Sequence, residues 1–173
     1  LGAAAGFLVW WYGTLFYNGA LSFAAERLLQ VDHRLCGPHL VADDRKVDVA
    51  PRDCVVPTAT IPADQLTYNM ILLAALFAMR FRSALSFFAS VVALVITHVF
   101  SLALSVESTY ARLLKTFSPL ETDIWTGAEF WWRLAGMFAF VFVCWWLTLE
   151  STPRNSPSTG APRPKRAAAR GRR

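Results

Sequence analysis

Hydrophobic residues fall into four long runs along this chain of 173 residues, with polar segments between them. The runs occupy about residues 6–30, 62–82, 83–106 and 127–149. Each is close to the ~20 residues that an α-helix needs to cross the hydrocarbon core of a bilayer. The pattern predicts an all-α integral membrane protein, in which residues 1–150 form a bundle of four transmembrane helices.

The third run, 83–106, is polar on one side only. Its small hydroxyl-bearing residues recur at helical spacing: Ser86, Ser90, Thr97, Ser101 and Ser105. In a helix these residues share one face. Small and hydroxylated side chains let a second helix approach closely inside a membrane. We therefore expect this face to be a helix–helix interface.

The first run carries a matching face of small residues. Gly6, Gly13 and Ala20 lie seven residues apart and so fall on nearly the same side of a helix. We predict that this face packs against the serine face of 83–106, so that Gly6 and Gly13 belong to the interface.

His98 is the only ionisable residue of the run 83–106. An ionisable group inside a membrane span is a candidate functional site. The other polar residues that the spans would bring into the membrane or to its edge are Asn18, Tyr68, Asn69, Arg80 and Arg133. Two interpretations of His98 remain open: a functional group, or a neutral imidazole that hydrogen-bonds to Ser101, Ser105 or a neighbouring helix.

The segment 31–61 between the first two runs is charged and rich in proline. Two short apolar patches, 40–41 and 47–49, flank the turn-forming residues Asp44 and Arg45. This pattern predicts a small extracytoplasmic β-hairpin centred between Asp44 and Arg45.

The predicted hairpin bears on two of the three cysteines. A turn centred between residues 44 and 45 places Cys36 opposite Asp53, one residue from Cys54. The two thiols would then lie near bridging distance, and a disulfide would require an oxidising compartment. A pair of unpaired thiols remains the alternative. Adding His33 and His39 gives no standard zinc spacing, so we predict no metal site.

The last segment, 151–173, is rich in Pro, Ser, Arg and Ala and has no apolar run. It carries seven basic residues, so a net charge of +5 for the chain leaves about −2 for the rest. We expect a disordered basic tail. Because the positive charge belongs to the tail, the composition does not indicate a nucleic-acid-binding protein.

The distribution of positive charge also sets the orientation. The tail and the short turn containing Arg80 and Arg82 fall on the same side of a four-span path. The positive-inside rule places that side in the cytoplasm. Both termini are therefore predicted to be cytoplasmic, with the insert 31–61 outside.

The sequence contains none of the common catalytic or nucleotide-binding motifs. GxSxG, HExxH, CxxC, GxGxxG and the P-loop are all missing. Neither Cys144 nor Cys54 stands in a recognisable nucleophile–base arrangement with a histidine. We therefore predict no catalytic residues and no cofactor.

Several short motifs resemble one family. These are YN at 17–18, LTYN at 66–69, RFR at 80–82 followed by a span with a late histidine, and FWWR at 130–133 before a Trp-rich span. The pattern resembles the small membrane proteins associated with exosortases. Exosortases are bacterial inner-membrane, transpeptidase-like enzymes that process proteins with C-terminal sorting tails.

This resemblance implies an accessory protein of the bacterial inner membrane rather than the enzyme, because the chain lacks a version of the exosortase cysteine motif. Its partners would be the lipid bilayer and a membrane protein such as the sorting enzyme. Two other functions remain open: a membrane-embedded enzyme that uses His98, and a structural subunit of a respiratory or photosynthetic complex.

Overall fold

The computed structural model describes residues 2–35, 37–53, 55–79, 83–114 and 116–150. The chain is mostly helical (74%), with two candidate membrane-spanning helices and a small three-stranded sheet. The predicted disordered tail lies outside the described residues.

The described elements alternate between long helices and one sheet. In chain order they are α1 (Gly2–Leu29), a 3₁₀ turn (His33–Leu35), β1 (Pro38–Asp43), β2 (Lys46–Pro51), β3 (Ala59–Pro62), α2 (Asp64–Thr67), α3 (Asn69–Met79), α4 (Ala84–Leu113), α5 (Pro119–Trp131), a π turn (Trp132–Gly136) and α6 (Met137–Glu150).

The predicted β-hairpin is confirmed, and its turn lies at the expected residues. β1 pairs with β2 in antiparallel register, with Asp43 opposite Lys46. Asp44 adopts a φ of 50°, a left-handed conformation that Asp tolerates in tight turns. The pairing continues beyond the strands through a hydrogen bond from Arg52 N–H to the Gly37 carbonyl. Cys36 and Cys54 themselves lie outside the described residues.

A third strand lies at the end of the predicted insert 31–61 and includes the first residue of the predicted helix 62–82. Ala59–Pro62 pairs antiparallel with β2 and makes β2 the central strand. Ala59 and Ile61 are buried while Thr60 between them is exposed. This alternation is typical of a strand with one face on a core. The apolar residues of 59–62 therefore serve the sheet rather than a helix.

The described part of the helix predicted over 62–82 starts later, at Asp64, and is interrupted at Tyr68. The one-turn helix α2 ends at Thr67, and α3 begins after Tyr68. α3 has 11 residues in the described chain. At 1.5 Å per residue it is about 16 Å long, which is only about half of a hydrocarbon core.

The other two predicted spans belong to longer helices. α4 extends past residue 106 to Leu113 and has 30 residues. α5 begins with a capping box, in which Ser118 and Glu121 bond each other's backbone N–H groups. Pro119 occupies its first turn, a position where proline does not disrupt a helix. The segment predicted as a polar connection, 107–126, is thus mostly helical.

By length and composition, two helices of the described chain could cross a membrane. They are α4 and the continuous helix Pro119–Leu149, which contains α5, the π turn and most of α6. α3 is also apolar but shorter. The prediction of four transmembrane helices is thus supported for two of them.

The helices run in alternating directions: α4 is parallel to α1, whereas α3 and α5–α6 are antiparallel to both. For α1 the direction follows from the contact of Tyr17 with His98, and from Asp32, just beyond the end of α1, lying beside the same groove as Glu107. For α3 it follows from Asn69–His98 and Phe77–Phe87. For α5 and the π turn it follows from Thr122–Ala111 and Trp132–Ser101. Met79, Ala84 and Glu150 therefore lie at one end of the bundle. The sheet packs on the half nearest Leu113.

The buried apolar residues form two separate clusters. The larger cluster joins the sheet to the C-terminal halves of α1 and α4 and includes Leu21, Val47, Val106 and Tyr110. The smaller cluster lies among α3, α4 and α6, around Leu73, Leu94 and Val141. Between these clusters, α4 contributes buried polar residues, which form the candidate site.

Candidate functional site

His98 lies at the centre of a buried polar layer. Its side chain is fully buried. Nδ1 is 2.5 Å from the hydroxyl of Tyr17 on α1, and Nε2 is 2.6 Å from Oδ1 of Asn69 at the start of α3. One side chain of α4 thus connects three helices through two hydrogen bonds.

These partners define the proton positions on the ring. Asn69 Oδ1 can only accept a hydrogen bond, so Nε2 carries the proton and donates it. Nδ1 then accepts the proton of the Tyr17 hydroxyl. The imidazole is neutral in this arrangement, and neither nitrogen is left for a metal or a substrate.

A second polar contact extends the layer toward the π turn. Trp132 Nε1–H donates to Ser101 Oγ at 2.7 Å, and Ser101 donates in turn to the Thr97 carbonyl at 2.8 Å. The Trp132 ring lies against Gly136, where a Cβ atom would collide with it. Only glycine fits at this position without moving the indole.

The serine face predicted on α4 is mostly buried. Ser90, Thr97, Ser101 and Ser105 are buried, and Ser86 is half-buried. Their hydroxyls bond mainly within the helix: Ser90 donates to the Ser86 carbonyl and Thr97 to the Ala93 carbonyl. The contact across the interface comes from the indole of Trp132 instead.

The predicted partner face on α1 is wrong at Gly13. A Cβ atom there would meet nothing within 4 Å among the described residues, so none of the described helices packs closely against it. Ala20 is exposed. The buried face of α1 is formed by Thr14, Asn18, Leu21, Ser22, Ala25 and Leu29. Gly6 belongs to α1, but its surroundings lie outside the described part of the chain.

The remaining polar candidates do not join His98. Asn18 Nδ2 donates to the Asp44 carbonyl, which ties α1 to the hairpin turn. The Tyr68 ring packs against Phe138 with centroids 5.7 Å apart. Arg133 bonds Gln65 and forms an ion pair with Glu129 at 3.5 Å, one turn earlier. Arg80 lies outside the described residues.

Tyr17 is the site residue that sequence reasoning missed. It is adjacent to Asn18, which has the more obvious polarity, and its aromatic ring resembles the interfacial tyrosines that membrane proteins commonly carry. Tyr17 and Asn18 are adjacent and so face different sides of α1. Two polar groups on different sides of one apolar helix could have indicated two separate polar contacts.

Next to the polar layer, α1, α4 and α5 enclose an open groove of about 780 Å³. Its walls are mostly apolar and include Leu28, Leu29, Thr97, Phe100, Leu104 and Trp125. The groove begins at Thr97 and Trp132 and ends at Asp32 and Glu107. Ten residues of α4 separate Thr97 from Glu107, so the groove is about 15 Å long.

The far end of the groove is polar. The pKa of Asp32 is lowered, chiefly because its carboxylate accepts hydrogen bonds from the Arg34 side chain. The Arg34 guanidinium also forms an ion pair with Glu121, at 3.1 Å. Glu107 is only 8% exposed, and its Oε2 has no hydrogen-bond partner among the described residues.

The base of the hairpin carries a further ionic cluster. Glu26 Oε2 accepts the Leu40 N–H at 3.0 Å and lies 2.9 Å from His39 Nδ1. Arg52 is 3.7 Å from the same carboxylate. His39 thus serves to hold β1 on the end of α1. The described residues contain no group of three potential metal ligands.

Comparisons with protein-family models, with curated proteins and with solved structures find no significant match to this chain.

Proposed function

We propose that this protein is a non-catalytic accessory protein of a bacterial inner membrane, with the sheet on the extracytoplasmic side and both termini in the cytoplasm. In this proposal, α1, α3, α4 and α5–α6 form the membrane bundle. The bundle binds a membrane-protein partner and needs no cofactor.

Exposed apolar side chains support the membrane assignment. On α4, Leu85, Phe88 and Val92 are each more than half exposed, and on α6 the same is true of Trp146 and Leu147. Soluble monomers rarely expose contiguous apolar surface of this kind. Lipid chains would cover these faces at no cost.

The sheet limits how far the bundle can enter the bilayer. An open sheet edge leaves backbone groups unpaired, which is costly in hydrocarbon. The hydrocarbon core therefore covers the half of the bundle below the sheet. The hairpin turn reaches α1 at Asn18, next to Tyr17 and therefore at the level of His98. On α4 the half below the sheet thus extends from Ala84 to about His98, or about 21 Å. In this placement His98 lies near the outer boundary of the hydrocarbon core.

The observation that carries the non-catalytic assignment is that both ring nitrogens of His98 already have hydrogen-bond partners within the protein. A general base needs a nitrogen within reach of substrate. Here both nitrogens are bonded to Tyr17 and Asn69, and the ring is fully buried. A structural bond between helices accounts for the histidine, whereas the enzyme alternative would require a cavity reaching it.

The partner is proposed from the sequence resemblance: a protein-sorting enzyme of exosortase type. Copurification from native membranes tests this choice. Affinity-tagged protein extracted in mild detergent should bring down a sorting enzyme, identified by mass spectrometry. Recovery of respiratory or photosynthetic subunits instead would overturn it in favour of the structural-subunit alternative.

A matched variant makes the copurification specific. Phe88→Ala changes the exposed face of α4 without touching the buried polar layer, and should weaken recovery of a partner bound to that face. Asp48→Ala on the sheet is the control, since the Asp48 side chain lies away from α4 and accepts a hydrogen bond from Thr60 of the neighbouring strand. Equal recovery from both variants would exclude that face as the binding surface.

A further inference from the structure

The groove between α1, α4 and α5 is an apolar surface that the proposed bilayer does not cover. It begins at the level of Thr97 and extends away from the hydrocarbon core toward the sheet. Phe100 and Leu28 on its walls are 58% and 40% exposed. An apolar concavity in contact with water is unfavourable, and such surfaces mark binding sites.

The size of the groove fits a small amphiphile better than a helix. Ligand pockets measure about 300–1,000 Å³ and combine apolar walls with a few polar groups. The groove, at about 780 Å³, has this composition. A transmembrane helix is about 10 Å across and about 30 Å long, and exceeds this space.

The polar end of the groove specifies the head group. Glu107 lines this end, and its Oε2 has no hydrogen-bond partner among the described residues. A carboxylate oxygen accepts hydrogen bonds, so a ligand that supplies a donor would satisfy it. Among the described residues the cation near this end is Arg34, which is already paired with Asp32 and Glu121. These pairs favour a neutral donor over an anionic head group.

We propose that this groove holds the aliphatic chain of a membrane lipid whose head group donates a hydrogen bond to Glu107. The chain continues from the bilayer at Thr97 along α4. This lipid site rests on the proposed position of the bundle in the bilayer, because the chain must enter the groove from the hydrocarbon core. Trp125 on α5 forms part of the groove wall beside this chain.

Photolabelling in phosphatidylcholine nanodiscs tests the proposal. The probe is a monoacylglycerol with a diazirine on the part of its chain next to the head group, and the labelled peptides are mapped by mass spectrometry. We expect enrichment on peptides containing Leu28 and Trp125. Leu104→Trp fills the groove and should reduce this labelling about tenfold, which equals about 1.4 kcal/mol. Val92→Trp, with the same bulk on the exposed face of α4, should not reduce it.

Competition tests the head group. Unlabelled monoacylglycerol should compete about tenfold better than the methyl ester of the same fatty acid, because the ester leaves the acceptor unpaired. Glu107→Leu should abolish this difference, and Glu107→Gln, which keeps an acceptor oxygen, should retain it. Equal competition by both lipids in the unaltered protein would overturn the role of Glu107.

The failures of the two proposals are distinguishable. Even labelling along the exposed faces of α4 and α6 without groove enrichment would overturn the lipid site while leaving the membrane placement intact. An absence of labelling on those faces would contradict the membrane placement itself. Cross-linking of the groove peptides to a copurified protein would assign the groove to a partner instead.

Discussion

Replacing His98 with leucine should destabilise the protein by about 2–4 kcal/mol. The substitution removes two hydrogen bonds and leaves Tyr17 Oη and Asn69 Oδ1 without their partner, and each buried polar group left unpaired costs about 1–3 kcal/mol. Leucine is apolar and similar in size, so a cavity contributes little. Thermal unfolding of the purified protein in detergent measures the loss.

A second substitution separates this explanation from a general packing defect. Tyr17→Phe in the His98→Leu background removes the unpaired hydroxyl and should recover about 1 kcal/mol, which a packing defect would not allow. Unchanged stability of His98→Leu together with loss of partner recovery would identify His98 as a functional rather than a structural group.

Replacing Tyr110 with alanine should cost about 3–5 kcal/mol, as for other large aromatic side chains in a core. Tyr110 is fully buried on α4, and its hydroxyl donates to the Val49 carbonyl of β2 at 3.0 Å. The side chain therefore joins the central strand to the helix bundle. Thermal unfolding of the variant in detergent measures this loss, and proteolysis should cleave the hairpin faster.

Tyr110→Phe is the matched control for that prediction. It keeps the ring and removes only the hydrogen bond, so the cost should be about 1 kcal/mol. If alanine and phenylalanine proved equally mild, the sheet would not depend on this contact, and the larger apolar cluster would be held by other side chains.

The sequence was informative wherever a pattern was local. The hairpin turn at Asp44 and Arg45 follows from turn chemistry between two apolar patches, and the structure has the same register. The serine face of α4 follows from helical spacing, and four of its five residues are buried. Both features depend on residues close to one another along the chain.

The sequence was misleading where one composition suits two structures. Pro62 suits the first turn of a helix and is predicted to begin the second span, but in the structure it ends β3 and pairs with Lys46 of β2. The two residues are far apart along the chain, so no local pattern records their pairing. The same reasoning applies to Gly13, whose small size suggested close packing that the structure places elsewhere on α1.

The hydrogen bonds of His98 could not be predicted from local sequence patterns. His98 and Asn69 were both recognised as polar residues in apolar surroundings, yet their contact depends on the end of α3. That end is set by the break at Tyr68, within a segment predicted to be one continuous helix. The contact with Tyr17 depends on the rotation of α1, and the sheet packed on α1 sets that rotation.

Accessibility of single cysteines in intact cells tests the central claim, that the bundle is embedded with its sheet outside. In a background without Cys36, Cys54 and Cys144, Val55→Cys in the exposed loop before β3 should react with an impermeant maleimide. Val92→Cys on the exposed face of α4 should stay unreactive until the membrane is dissolved in detergent. Equal reactivity of the two positions in intact cells would contradict the account.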